Sequence, residues 1–184
     1  MKVFIPFVFS NFVSFSLADL SYTWNLTKPL LGDWIQIYNN RYVQESSEID
    51  WDCTQVSIQG NQTHVVIDKH SILHHNFDLP IHKSTDYSIY TYNGELILNS
   101  IQPLSVTNPI LVLKNTQPPI PSDEPYDYVI LTGTDQLTLF VLVRNIDVFS
   151  KYLSDISTAI IDLHYTGYYL SPMSCYDLTL CSDK

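Results

Sequence analysis

The chain has 184 residues, 45% of them apolar and 15% charged, a balance that fits one folded domain and excludes a disordered or coiled-coil protein. Nineteen acidic against nine basic residues give a formal charge of −10. With no cluster of Lys or Arg to break that field, the charge argues against nucleic-acid binding, and the absence of an internal repeat excludes a solenoid.

Residues 1–18 read as a secretory signal peptide. Lys2 precedes an apolar stretch from Val3 to Leu17, and Ser16 and Ala18 supply the small residues before a cleavage site after Ala18. The stretch falls short of the roughly 20 apolar residues needed to span a bilayer, and no later segment qualifies as transmembrane. The expected product is a secreted, extracellular single domain over residues 19–184. In an exported chain, Asn25-Leu26-Thr27 and Asn61-Gln62-Thr63 are glycosylation acceptors at Asn25 and Asn61. Cys53, Cys175 and Cys181 allow one disulfide and leave one thiol over. A bridge from Cys53 to either of the others would tie the tail to the body, worth about 4–5 kcal/mol on the chain-entropy model.

Strand patterns then follow one another. Asp33–Asn39, Asp52–Gly60 and Thr63–Lys69 come first, with Gly60-Asn61 as a two-residue hairpin loop between the last two. Residues 70–83, rich in His and carrying Pro80, read as an irregular excursion. Thr85–Tyr92 and Glu95–Ile101 flank Asn93-Gly94, a strong hairpin signal. Pro109–Lys114, Tyr126–Thr132 and Leu137–Arg144 complete eight strands, and the four prolines of Thr116–Pro125 exclude a central strand there. After Arg144 the period becomes helical. Phe149, Tyr152, Leu153, Ile156, Ile160 and Leu163 share a face of a helix over about 147–164, with Asn145 or Asp147 as cap, Gly167 after it and a tail to Lys184. Eight strands in mostly short-looped succession, with strands spanning about 33–144, predict an all-β fold: an eight-stranded up-and-down antiparallel β-barrel with one C-terminal α-helix packed outside.

Three stretches carry a resemblance. Gly32-Asp33-Trp34 resembles the first lipocalin signature, Pro125-Tyr126-Asp127-Tyr128 the second, and Leu139-Phe140-Val141-Leu142-Val143-Arg144 the third, in order over about residues 28–181. The nearest likeness is to the apolipoprotein D and bacterial lipocalin branch. The resemblance implies a container, with Gly32, Trp34, Asp127, Tyr128 and Arg144 closing one end of the barrel and Trp34 and Arg144 packed as a cation–π pair. It also implies a disulfide between Cys53 and Cys181, with Cys175 as the alternative partner.

Candidate chemistry is sparse. His64, His70, His74, His75 and His82 are weighed as a metal site, but no carboxylate or thiolate stands at ligand spacing, so solvated loop histidines are the default and no metal or other cofactor is expected. No nucleophile elbow, phosphate loop or acid–base pair appears, so no catalytic residue is assigned and the chain is read as a non-enzyme. Tyr38, Tyr90, Tyr92 and Phe140, on predicted strands, are the candidate lining of a cavity for a small hydrophobic ligand: a fatty acid, sterol, pigment or retinoid-like molecule. The expected function is binding and transport of that ligand. Two rivals stand beside it: an interaction module with a filled barrel, meeting a protein partner through 70–83 and 103–125, and a barrel enzyme acting on a lipid or carotenoid, which would need a buried ionisable group in the cavity.

Overall fold

The computed structural model describes residues 23, 25–49, 51–75, 77–104, 108–168, 170 and 172–174. The expected signal peptide lies outside them, as do Cys175, Cys181 and the Cys53 side chain on which the disulfide depends. Nine strands and two helices follow a 3-10 turn at Lys28–Leu30. They are β1 (Gly32–Asn40), α1 (Arg41–Ser46), β2 (Trp51–Gly60), β3 (His64–His75), β4 (Phe77–Tyr92), β5 (Glu95–Ser100), β6 (Leu111–Gln117), β7 (Tyr128–Gly133), β8 (Leu139–Val143), α2 (Ile146–Asp162) and β9 (Pro172–Ser174).

Each strand from β1 to β8 pairs antiparallel with the next, and β8 returns to β1. The pairing Gly32↔Ile58 to Ile35↔Gln55 holds β1 to β2, so the eight strands close into a barrel. The short β9 adds to the far end of β1. Asn93 and Gly94 take positive φ of 52° and 81°, as a two-residue hairpin between right-twisted strands requires.

Alternation along the closed sheet separates two apolar layers. Inside lie Trp34, Val56, Ile58, Val65, Ile67, Tyr87, Leu98, Leu113, Leu131 and Leu142, among others. Outside, Ile37, Ile130, Val141 and Val143 meet Ile156, Ala159 and Ile160 of α2. Asn145 is the cap of α2, its Oδ1 accepting from the Val148 amide at 2.9 Å, while Leu153 turns outward at 45% exposure. The two apolar layers bury Val141 and Val143 under the helix and Leu142 in the barrel, which is why β8 reads as a continuous apolar run.

Three elements differ from the sequence expectation. Residues 70–83 are not an irregular loop: β3 and β4 continue through them in register, with His70 opposite His82 and Ile72 opposite Pro80. Proline is tolerated there because β5 pairs with β4 only from Tyr87 onward, leaving the other side of residues 77–86 unpaired by β5. The helix α1 was not anticipated, being too short to display a periodic face; Asn40 caps it, accepting from the Val43 amide at 3.4 Å. Part of the expected irregular tail forms β9. Among the described residues no helix is long and apolar enough to cross a membrane.

Candidate functional site

One end of the barrel is sealed. The Arg144 guanidinium lies over the Trp34 ring, 3.6 Å from its centroid, and donates to four backbone carbonyls: Nε to Tyr126 at 2.9 Å, Nη1 to Asp33 at 3.0 Å, and Nη2 to Pro29 and Leu31, both at 2.9 Å. The Trp34 indole donates to the Leu30 carbonyl at 2.8 Å. Leu26 and Leu30 are fully buried beneath this lattice. Gly32 has φ +108°, and a Cβ there would stand 3.0 Å from Arg144 Nη1; glycine therefore satisfies both the backbone and the close approach. Asp127 and Tyr128 tie this end to α2. Asp127 accepts from the Tyr152 hydroxyl at 3.1 Å, and the Tyr128 and Tyr152 rings stand 5.5 Å apart.

The opposite half holds a cavity. Val56, Ile67, Tyr87, Leu111, Leu131, Phe140 and Leu142 form its apolar wall, with Ser47, Glu48, Lys69, Lys83, Thr85 and Pro109 completing it. The space among them is about 20 Å³, enough for one water and no more. The segment after β1 accounts for that small volume. It carries α1 and then brings Glu48, 4% exposed, to the cavity.

Glu48 is the hub of a buried polar cluster. Its Oε1 accepts from Lys69 Nζ at 2.6 Å, and its Oε2 accepts from Gln36 Nε2 at 2.7 Å and Asn39 Nδ2 at 2.9 Å. Lys69 also donates to Gln36 Oε1 at 2.8 Å and lies 3.7 Å from the Phe140 ring centroid. Burial alone would raise the Glu48 carboxyl; the Lys69 charge and the three donors outweigh it, and the group stays below its ordinary range. Lys83 is the direct cross-strand partner of Lys69. Burial, then the Lys69 charge, bring its ammonium down to about 8, against a smaller upward pull from Glu48. Burial and the Glu48 charge push the Tyr87 hydroxyl up.

Of the four residues expected to line the cavity, Phe140 does so. Tyr38 lies on the outer face, with its ring edge-on to Phe149 of α2 at 5.6 Å. A bulge is the reason. Gln36 pairs with Leu142 and Tyr38 with Val141, so Ile37 is an extra residue and the alternation begun at Trp34 reverses. Asn39, opposite Phe140, then turns inward and reaches Glu48. Tyr90 and Tyr92 are out of phase with the inward Tyr87 and Ile89, and Tyr92 is 65% exposed. Gln36, Asn39, Glu48, Lys69 and Lys83 were not expected. A signal for the lysines exists: Lys69 continues the inward series Val65, Ile67, and Lys83 precedes Thr85, Tyr87 and Ile89 in phase. Nothing local marks Glu48.

His64, His70 and His82 stand on the outer face of β3 and β4, and the side chains of His74 and His75 lie outside the described residues. His70 and His82 stack at 4.4 Å, His82 lies 3.4 Å from Asp68, and His64 lies 3.3 Å from Asp86. Among the described residues no group of three or more His, Cys, Asp or Glu could hold a metal ion. Asn25 and Asn61 are both exposed. Two larger hollows lie on the outer surface: about 510 Å³ between the end of β6 and α2, beside Gln117, Tyr128 and Asp155, and about 460 Å³ along β1 and β2 beside Trp34, Ser57 and His70.

A closed eight-stranded barrel, a tryptophan–arginine seal at one end, a cavity at the other and a helix outside define a barrel of the lipocalin kind. The solved structures it resembles agree. They include lobster apocrustacyanin A1, at 12% identity and TM-score 0.53 over 82% of each chain, and apocrustacyanin C1, at 13% identity and TM-score 0.53 over 82% of each chain. Apocrustacyanin C2 matches at 12% identity and TM-score 0.53, over 80% of this chain and 78% of that one. Crustacyanins are lipocalins, and at this identity the likeness is one of fold. No protein-family model matches the sequence, and no curated protein matches it.

Proposed function

We propose that this protein is a secreted lipocalin, without catalytic activity, that binds and carries a small, largely apolar molecule in the cavity opposite the Trp34–Arg144 seal. The supporting observation is the cavity wall, in which Val56, Ile67, Tyr87, Leu111, Leu131, Phe140 and Leu142 surround a small group of convergent polar side chains. Phe140 is the one residue of the original aromatic set that we assign to the ligand; Tyr38, Tyr90 and Tyr92 belong to other surfaces. A barrel made only to be filled gains nothing from lysines turned toward its interior, because an ion pair taken out of water is no more stabilising than packed apolar side chains of the same volume. The segment carrying α1 and Glu48 must move for a ligand to enter, since the cavity as it stands admits one water. We assign the signal peptide to residues 1–18, glycans to Asn25 and Asn61, and a disulfide to Cys53 with Cys181 or Cys175. On its three sequence motifs we group the chain with the apolipoprotein D and bacterial lipocalin branch.

The rival reading, a filled barrel whose 70–83 hairpin end and 103–125 segment meet a protein partner, takes its support from the same cavity volume of about 20 Å³. Native mass spectrometry of the deglycosylated protein, with lipid extraction of whatever co-purifies, separates the two. The carrier reading expects a discrete small apolar adduct. A barrel that carries none, and whose tryptophan emission no fatty acid, sterol or retinoid quenches, supports the interaction module instead.

A further inference from the structure

A chain of formal charge −10 turns two ammonium groups toward its barrel cavity. They are Lys69 and Lys83, and among the described residues lining the cavity Glu48 is the one carboxylate. Lys69 and Lys83 sit side by side on adjacent strands of the barrel wall, fixed by the sheet. Glu48 does not belong to the wall: it comes from the connection between α1 and β2, so the anion is the member of the cluster with freedom to leave.

The donors around it are matched to a carboxylate. One oxygen of Glu48 takes Lys69, and the other takes the side-chain amides of Gln36 and Asn39. The amides belong to β1 and the lysine to β3, so the cradle remains when the glutamate departs. The remaining volume of about 20 Å³ has no room for a second carboxylate beside the first. Directly behind Lys69 lies the Phe140 ring, and beyond it the apolar wall continues toward the seal.

Resting on the carrier reading above, we propose that Lys69 and Lys83, with the amides of Gln36 and Asn39, are the seat for the head group of a long-chain carboxylate, and that Glu48 fills that seat in the empty protein. The ligand is then an anionic amphiphile: its carboxylate replaces that of Glu48, and its chain takes the apolar half of the cavity as the α1 segment moves aside. A neutral sterol or alcohol has no group to offer the lysines.

Titration of the purified protein at pH 7 with hexadecanoate, hexadecan-1-ol and hexadecyl phosphate, read by tryptophan quenching, tests this. Hexadecanoate should bind about tenfold or more tighter than the alcohol, as a buried charge pair of this kind commonly gives. Glu48→Gln removes the internal competitor and should tighten hexadecanoate by about tenfold with little effect on the alcohol. Lys83→Met should weaken the acid selectively. Should Glu48→Gln fail to fold, the double variant Glu48→Gln/Lys69→Met, which removes one charge of each sign together, should fold and show a smaller preference for acid over alcohol. Equal binding of acid and alcohol, with Glu48→Gln changing neither, overturns the carboxylate seat and leaves the carrier reading standing. Tighter binding of the phosphate than of the carboxylate also overturns it. If none of the three binds, the carboxylate seat is overturned, and the carrier reading then rests on the sterol and retinoid arms above.

Discussion

At the scale of single residues, the two ends of the barrel spend their polar groups differently. Arg144 donates to four backbone carbonyls at the closed end, of which that of Pro29 also takes the Tyr126 amide, at 3.2 Å, and its removal takes a charged donor from all four. Arg144→Met should therefore cost about 3 kcal/mol or more of folding stability, measured by urea denaturation. Gly32→Ala forces a side chain onto φ +108° and into the guanidinium, which predicts a loss of about 1–3 kcal/mol in the same assay. At the cavity the effects are those of titration. Lys83, with its folded value brought down to about 8 from 10.5, opposes folding while it is charged. That opposition is fully present below about pH 8 and is relieved as pH rises toward 10.5. The hydroxyls of Tyr38, Tyr87, Tyr128 and Tyr165, all raised above 10.0 by burial first, act in the opposite sense above that value. The expected profile is a rise in stability from about pH 8 to 10 that Lys83→Met abolishes and a Tyr-driven fall beyond it. A flat profile in the unsubstituted protein would refute the Lys83 assignment.

At the scale of elements, α2 shows how much a local signal can carry. The apolar spacing from Phe149 to Leu163, the two candidate caps Asn145 and Asp147 and the following Gly167 predict the helix, and of the two Asn145 is the cap. Asn145→Ala should lower stability by about 1 kcal/mol, the usual worth of such a cap, with thermal unfolding as the check. The Asn93-Gly94 turn and the strand order were legible for the same reason: each rests on residues a few positions apart. What was not legible depends on pairing partners far along the chain. Proline at 80 reads as a strand breaker until β5 is seen to stop short of it. Tyr38 points inward by strict alternation, and only the extra residue Ile37 opposite β8 reverses it. Glu48 gives no sign of burial in sequence, because its partners Gln36 and Lys69 come from two different strands. The seal was legible and the cavity was not, since the seal follows a sequence pattern and the cavity follows closure.

At the scale of the whole molecule, closure has a thermodynamic consequence that separates a carrier from a filled barrel. All eight strands share one interior, so a molecule lodged there touches most of the sheet and stabilises it as a unit. A ligand that binds only the folded state adds RT ln(1 + [L]/Kd), about 2.7 kcal/mol at one hundred times Kd. The melting temperature should then climb by several degrees, roughly 2–4 °C for each kcal/mol in a domain of this size, and keep climbing with ligand concentration. The cluster around Glu48 sets the acid limit of the same effect. Its carboxyl contributes stability in full above about 4.5, and loses it as pH falls through the lower folded value. Protonated, it no longer competes for Lys69, so the empty protein should lose acid stability faster than the protein saturated with hexadecanoate near neutral pH and then acidified. Differential scanning calorimetry across that range, with and without hexadecanoate, reads both effects. A melting temperature indifferent to hexadecanoate at every pH is the behaviour of a barrel whose interior is only structural, and it would direct attention to the outer surfaces of β3 and β4.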